Sequence, residues 1–91
     1  MRIGDILITP EVVEKILFKH GVRPSEVESV LREEYDKTYF EKVKENRYMA
    51  LGRCLRGYIT IFFDRSVRTM EVVSARFSST VEKRKYKKKM R

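Results

Sequence analysis

The sequence predicts an α+β domain: an N-terminal helical hairpin packed on a three- to four-stranded, mainly antiparallel sheet, followed by a basic C-terminal helix. Three observations lead there. Apolar residues recur at helical spacing up to about Asp36, alternate with polar ones from Thr38 to Ala75, and give way to a lysine-rich ending.

Arg2 to Ile8 reads as a short strand with Ile3, Leu7 and Ile8 as its apolar content. Thr9-Pro10-Glu11 then announces a helix. The threonine can cap free amides, proline fits the first turn, and glutamate suits its positive end. Val12, Val13, Ile16, Leu17 and His20 form the buried stripe, and Gly21 stops the helix in a left-handed conformation. A second helix starts near Pro24 behind a poor cap, Arg23, with Val27, Val30 and Leu31 as its stripe. Beyond Asp36 come Thr38 to Val43, a turn at Lys44-Glu45-Asn46, and a strand Arg47 to Cys54. That strand sets Met49 and Leu51 on one face and Tyr48 and Ala50 on the other. Tyr58 to Phe63 is the strongest strand and Thr69 to Ala75 the last, all joined by short turns as a meander. Ser78 or Ser79 caps the final helix, whose apolar content is only Val81, Tyr86 and Met90. The helices are expected on one face of the sheet.

Ninety-one residues predict one domain, 1–91, with a basic segment at 83–91. Hydrophobic content of 42% supports a core and argues against disorder throughout. The longest uncharged stretch, Gly57 to Phe63, has seven residues and cannot cross a bilayer, so no membrane role is expected. The first residues lack the apolar core of a signal peptide, and the lone Cys54 excludes an internal disulfide framework; both favour the cytoplasm. One histidine and one cysteine cannot alone build a tetrahedral zinc site, and no glycine-rich phosphate loop is present, so neither metal nor cofactor is expected.

Charge is divided unevenly. Residues 1–46 carry eight Lys/Arg against ten Asp/Glu, and residues 47–91 carry thirteen against three. Without the last nine residues the formal charge would fall from +8 to +1. Concentrated positive charge is what binding to a polyanion requires. Arg47, Arg53, Arg56 and Arg76 lie on and around the expected sheet, beside Glu82, Arg84 and Tyr86 of the last helix. Arginine suits phosphate because its planar fork donates two parallel hydrogen bonds. Glu82 and Tyr86, four apart, share a helix face. The plainer alternative is that these arginines only pair with the acidic second helix. His20 ends the first helix, where a structural role bonded to a carbonyl competes with acid–base work.

Several of these residues carry a resemblance. Lys19-His20-Gly21-Val22 with Glu26-Val27-Glu28 resembles the helical half of the BrnT toxin family. Arg47-Tyr48-Met49-Ala50-Leu51-Gly52-Arg53 is similar to its Arg-Tyr-x-Ala-Leu-Gly-Arg strand. Ser74-Ala75-Arg76, then Ser79, Glu82, Arg84 and Tyr86, resembles its ending, so the likeness runs from about Thr9 to Tyr86. Two places depart from the family pattern. Arg56-Gly57 stands where Gly-Arg is common, and Phe77-Ser78 stands where Asp-Met often follows. The resemblance implies a RelE-like fold and the toxin half of a type II toxin–antitoxin pair. It further implies an RNA-cleaving activity that stops translation, and an antitoxin partner, typically a small ribbon-helix-helix DNA-binding protein.

On that basis Arg53 and Arg76 would stabilise charge at phosphorus, Glu82 would act as base and Tyr86 as acid or orienting group, with His20 in reserve. Arg47, Arg56, Lys83, Arg84, Lys85 and Lys87 would hold RNA. Two alternatives come from other classes. One is a non-catalytic nucleic-acid-binding module in which Tyr58 and Tyr86 stack on bases. The other is an inactive toxin relative kept as the stable half of a repressor complex.

Overall fold

The computed structural model describes residues 5–90; the predicted strand residues Arg2 and Ile3, and Arg91 at the basic end, lie outside them. Among the described residues the order is β1 (Asp5–Leu7), α1 (Pro10–His20), α2 (Pro24–Leu31), β2 (Tyr39–Lys44), β3 (Arg47–Cys54), β4 (Gly57–Arg65), β5 (Thr69–Phe77) and α3 (Thr80–Lys89).

The first helix is set by local chemistry at both ends. The Thr9 hydroxyl accepts from the Val12 amide at 3.4 Å, and Gly21 adopts φ 66°, which sends its amide back to carbonyls of the last turn. In α2 the missing side-chain cap is supplied from within the helix, because Glu26 Oε1 accepts the Arg23 amide at 2.9 Å. Asn46, at φ 64°, closes the tight β2–β3 turn.

The sheet has the order β1-β5-β4-β3-β2 and is mixed. β2 to β5 form the expected antiparallel meander, while β1 pairs parallel to β5, Ile6 opposite Met70. The expected short N-terminal strand is present as β1 and the sheet is mainly antiparallel, but the expected three or four strands become five because β1 joins the sheet. Its parallel pairing depends on a partner distant in the chain, which local periodicity does not reveal.

Ala50, Ile59, Ile61, Phe63, Val72 and Ala75 face α1 and α2 and close the main core on Ile16, Val22, Val27, Val30 and Leu31. Gly52 makes this approach possible, since a Cβ there would sit 2.5 Å from Val30 Cγ1 and 2.9 Å from Thr38 Oγ1. The third helix does not join this layer. Tyr86 packs on Tyr58, whose strand-mates Ile59 and Ile61 point the other way into the main core. The expectation of helices on one face is corrected: α3 lies on the opposite side, making three layers. Its single buried residue, Tyr86, fits a helix that touches the sheet lightly. Among the described residues no helix is long and apolar enough to cross a membrane.

Candidate nucleic-acid interface

Residues directly opposed across neighbouring strands point to the same side of a sheet, so the register orders the face beneath α3 into rows. Arg53 and Tyr58 form the first row; Tyr39, Leu51, Thr60 and Arg76 the second. Glu41, Met49, Phe62 and Ser74 form the third, and Arg47, Asp64 and Glu71 the fourth.

Arg76 reaches this face through an irregularity. Phe62 pairs with Ser74 but Phe63 with Val72, so Val73 is an extra residue in β5. Simple alternation would put Val72, Ser74 and Arg76 on one face. The bulge instead turns Val72 into the main core and leaves Ser74 and Arg76 beneath α3. The strand also continues past Arg76 to Phe77, rather than ending at Ala75.

α3 is closed at its own N-terminus and tied to the face through three residues, Glu82, Lys85 and Tyr86. Its N-terminus is a capping box, in which the Glu82 amide donates to Ser79 Oγ at 3.2 Å and the Ser79 amide donates to Glu82 Oε1 at 2.8 Å. The same carboxylate receives both arms of Arg76, Nη1 to Oε1 at 2.6 Å and Nη2 to Oε2 at 2.7 Å. Midway, the Tyr86 hydroxyl donates to the Lys37 carbonyl at 2.6 Å, and its ring meets Tyr58 at 5.5 Å. Lys85 donates to Glu41 Oε2 at 2.7 Å, while the Tyr39 hydroxyl donates to Oε1 of the same group at 2.9 Å.

The structure thus gathers Arg53 and Arg76 of the sheet with Glu82 and Tyr86 of α3 on one side of the sheet. Burial raises the Glu82 pKa, yet the Arg76 fork, the Ser79 amide and Thr60 outweigh it and hold the carboxyl at about 2. A carboxylate so stabilised is a weak base while the pair holds, and in this arrangement Glu82 positions Arg76 and caps α3. Burial, with the negative charge of Asp36 next, pushes the Tyr86 phenol up, and its proton is already committed to a carbonyl. Arg53 is the loosest of the set, 3.5 Å from Asp36 with more than half of its side chain exposed.

Other expected residues fall elsewhere. His20 closes α1 in the layer across the sheet and does not join the group. Arg56, expected to hold RNA, turns toward the helical hairpin. It grips Glu26 through Nε at 2.7 Å and Nη2 at 2.6 Å and donates to the Gly21 carbonyl at 2.6 Å. Pairing with the acidic second helix is therefore real for Arg56, whereas Arg47 pairs with Asp64 and Arg76 with Glu82. Arg56, with lesser help from the Arg23 amide, overcomes burial and holds Glu26 at about 2. Burial raises the thiol of Cys54, which suits a core residue better than a nucleophile.

What remains for a polyanion is the outer side of α3. Lys83, Arg84, Lys87, Lys88 and Lys89 make no salt bridge among the described residues, and the four before Lys89 are exposed with it. Lys87 stands 5.7 Å over Tyr58 and Lys89 stands 6.0 Å over Tyr39, so aromatic faces gather some of this charge along the helix. The sequence reading missed Lys88, Thr60 and Phe62. Strand alternation from Tyr58 marks the latter two as sharing its face. Among the described residues no group of three or more His, Cys, Asp or Glu side chains is placed to hold a metal ion. No protein-family model matches the chain, and no curated protein matches it.

Proposed function

We propose that the protein is a ribonuclease toxin of the BrnT kind, acting on RNA in the cytoplasm without a metal and inhibiting translation. The observation that carries this reading is that Arg53 and Arg76 share one sheet face beneath a lysine-rich helix, which packs on that face through its Tyr86. The family resemblance supplies the reaction. A ribose 2′-hydroxyl attacks the adjacent phosphorus, and negative charge grows on the non-bridging oxygens. The chemistry this face offers is mainly electrostatic: Arg76 and Arg53 would donate to those oxygens while α3 holds the flanking phosphates. For Arg76 to do so, phosphate must take the place of the Glu82 carboxylate, which presents the same pair of acceptors. A small antitoxin covering this face would neutralise it with acidic or polar groups of its own.

Induced expression in a bacterial host, with growth and RNA integrity followed together, tests the reading. Purified protein should cut RNA in the presence of a chelator. Growth arrest with RNA fragmentation supports it, and normal growth with intact RNA removes it.

A second reading is favoured by one observation: the Arg76 fork, both Glu82 oxygens and the Tyr86 proton are all engaged within the protein. On that reading the chain binds RNA or an antitoxin without cutting. Salt-dependent RNA binding without cleavage would select it.

A further inference from the structure

We infer that Phe62, with Met49 and Ser74 on either side, forms a stacking site for one unpaired base of RNA. The inference rests on the proposed action on RNA and adds the part of the substrate that this row would read. Phe62, Met49 and Ser74 are directly opposed on β4, β3 and β5, and each is half-buried. Neither Phe62 nor Met49 belongs to the main core, which lies across the sheet. α3 crosses the two rows before them and meets their row at its far end, where Lys85 binds Glu41. Among the described residues Phe62 joins no aromatic pair, whereas Phe40, Phe63, Tyr48, Tyr58 and Tyr86 all do.

The neighbour Phe62 does have is a cation, the Arg76 guanidinium 5.9 Å from its ring centre. An apolar ring, a flexible thioether and a hydroxyl in one row, with a cation at its border, match the parts of a nucleotide. The base has a flat face to stack and polar edges to bond, and the phosphate carries the charge. Charge complementarity identifies the occupant: α3, on the same side of the sheet, carries exposed cations that make no salt bridge among the described residues, so a chain bringing both phosphates and exposed rings fits, and single-stranded RNA is the one we infer.

The chain contains no tryptophan, so Phe62→Trp introduces a single reporter at this position. Single-stranded RNA should quench its emission, and an oligonucleotide of equal length with abasic positions should not, although both bind. In the unaltered protein, removing the one base that stacks should weaken binding roughly 10- to 100-fold, with the salt slope unchanged. Phe62→Leu should remove that difference, and Phe18→Leu, at an exposed ring on α1 across the sheet, should keep it; thermal melting shows that each variant is folded. Equal quenching by base-bearing and abasic strands overturns the stacking site. So does binding by the unaltered protein that no abasic position weakens, and in both cases RNA binding itself stands. Absence of RNA binding at any salt concentration overturns both the site and the function on which it rests.

Discussion

Arg76 and Glu82 meet fork to fork across the turn from β5 into α3, each arm of the guanidinium on one carboxylate oxygen. The glutamate is the more enclosed partner, its side chain 15% exposed against 39% for the arginine. Removing Arg76 would leave a largely buried carboxylate without its main partner. Arg76→Ala is therefore expected to lower stability by about 1–2 kcal/mol, less than for a fully enclosed pair because water reaches the arginine. For a domain of this size that is roughly 5–15 °C in Tm. The variant should also lose RNA cleavage, which assays on the folded fraction below Tm would separate from unfolding. An unchanged Tm would mean that the pair contributes nothing to the fold.

Glu82→Gln asks the opposite question. Glutamine keeps an oxygen for the Ser79 amide but removes the charge that holds Arg76. The freed fork should add about one phosphate contact, steepening the salt dependence of single-stranded RNA binding by roughly 0.7 in log–log slope. Were Glu82 the general base, cleavage would instead fall about a hundredfold or more with the slope unchanged.

The pieces of the fold visible in the sequence were those fixed by neighbours. Thr9 and Gly21 bound α1 because capping chemistry acts over three or four residues, and β3 runs from Arg47 to Cys54 as alternation predicts. What could not be read is non-local. The parallel pairing of β1 spans more than sixty residues, and the grip of Arg56 on Glu26 spans 30. The extra residue at Val73 reverses the parity on which any face assignment beyond it depends. The residues of the candidate site were legible as a set of arginines on and around the sheet beside Glu82 and Tyr86. Their pairings were not, because whether an arginine points at a glutamate or at solvent is decided by packing.

The outer cations of α3 can be tested without removing the helix. Deleting residues 83–91 would also strip Tyr86 from Tyr58 and Lys37, so it confounds charge with folding. Replacing Lys83, Arg84, Lys87 and Lys88 with glutamine leaves Tyr86 in place. If all four meet phosphate, the salt slope of binding to single-stranded RNA should flatten by roughly 0.7 for each, with Tm nearly constant. An unchanged slope would place the RNA elsewhere.

Two carboxylates define an acid limit. Glu26 and Glu82 both titrate at about 2 in the folded protein against an ordinary value of 4.5. A group whose folded pKa is depressed contributes fully above its unfolded value, and its contribution fades as pH falls toward the folded one. Tm should therefore be level with respect to these groups above about pH 5, then drop between pH 4.5 and 2. Glu26→Gln should start less stable at neutral pH and show a shallower acid slope. An acid slope equal to that of the parent would mean that the Arg56 pair does not depress Glu26.

Tyr86 separates a structural from a catalytic hydroxyl. Its ring fills the space between α3 and Tyr58, and its proton goes to the Lys37 carbonyl at 2.6 Å on the chain leading into β2. Phenylalanine keeps the ring and removes only that bond. The expected cost is about 0.5–1.5 kcal/mol, with the larger value requiring that water fail to reach the freed carbonyl. Lys37 is exposed, which argues for the lower part of that range. Burial also keeps the phenol protonated, so ionisation gives it no role near neutral pH. Tyr86→Phe should therefore melt a few degrees lower yet bind and cut RNA at the parent rate, with an unshifted pH profile. A folded variant with unchanged Tm and a hundredfold slower cleavage would return Tyr86 to the role of acid, and would require the Lys37 bond to open when RNA binds.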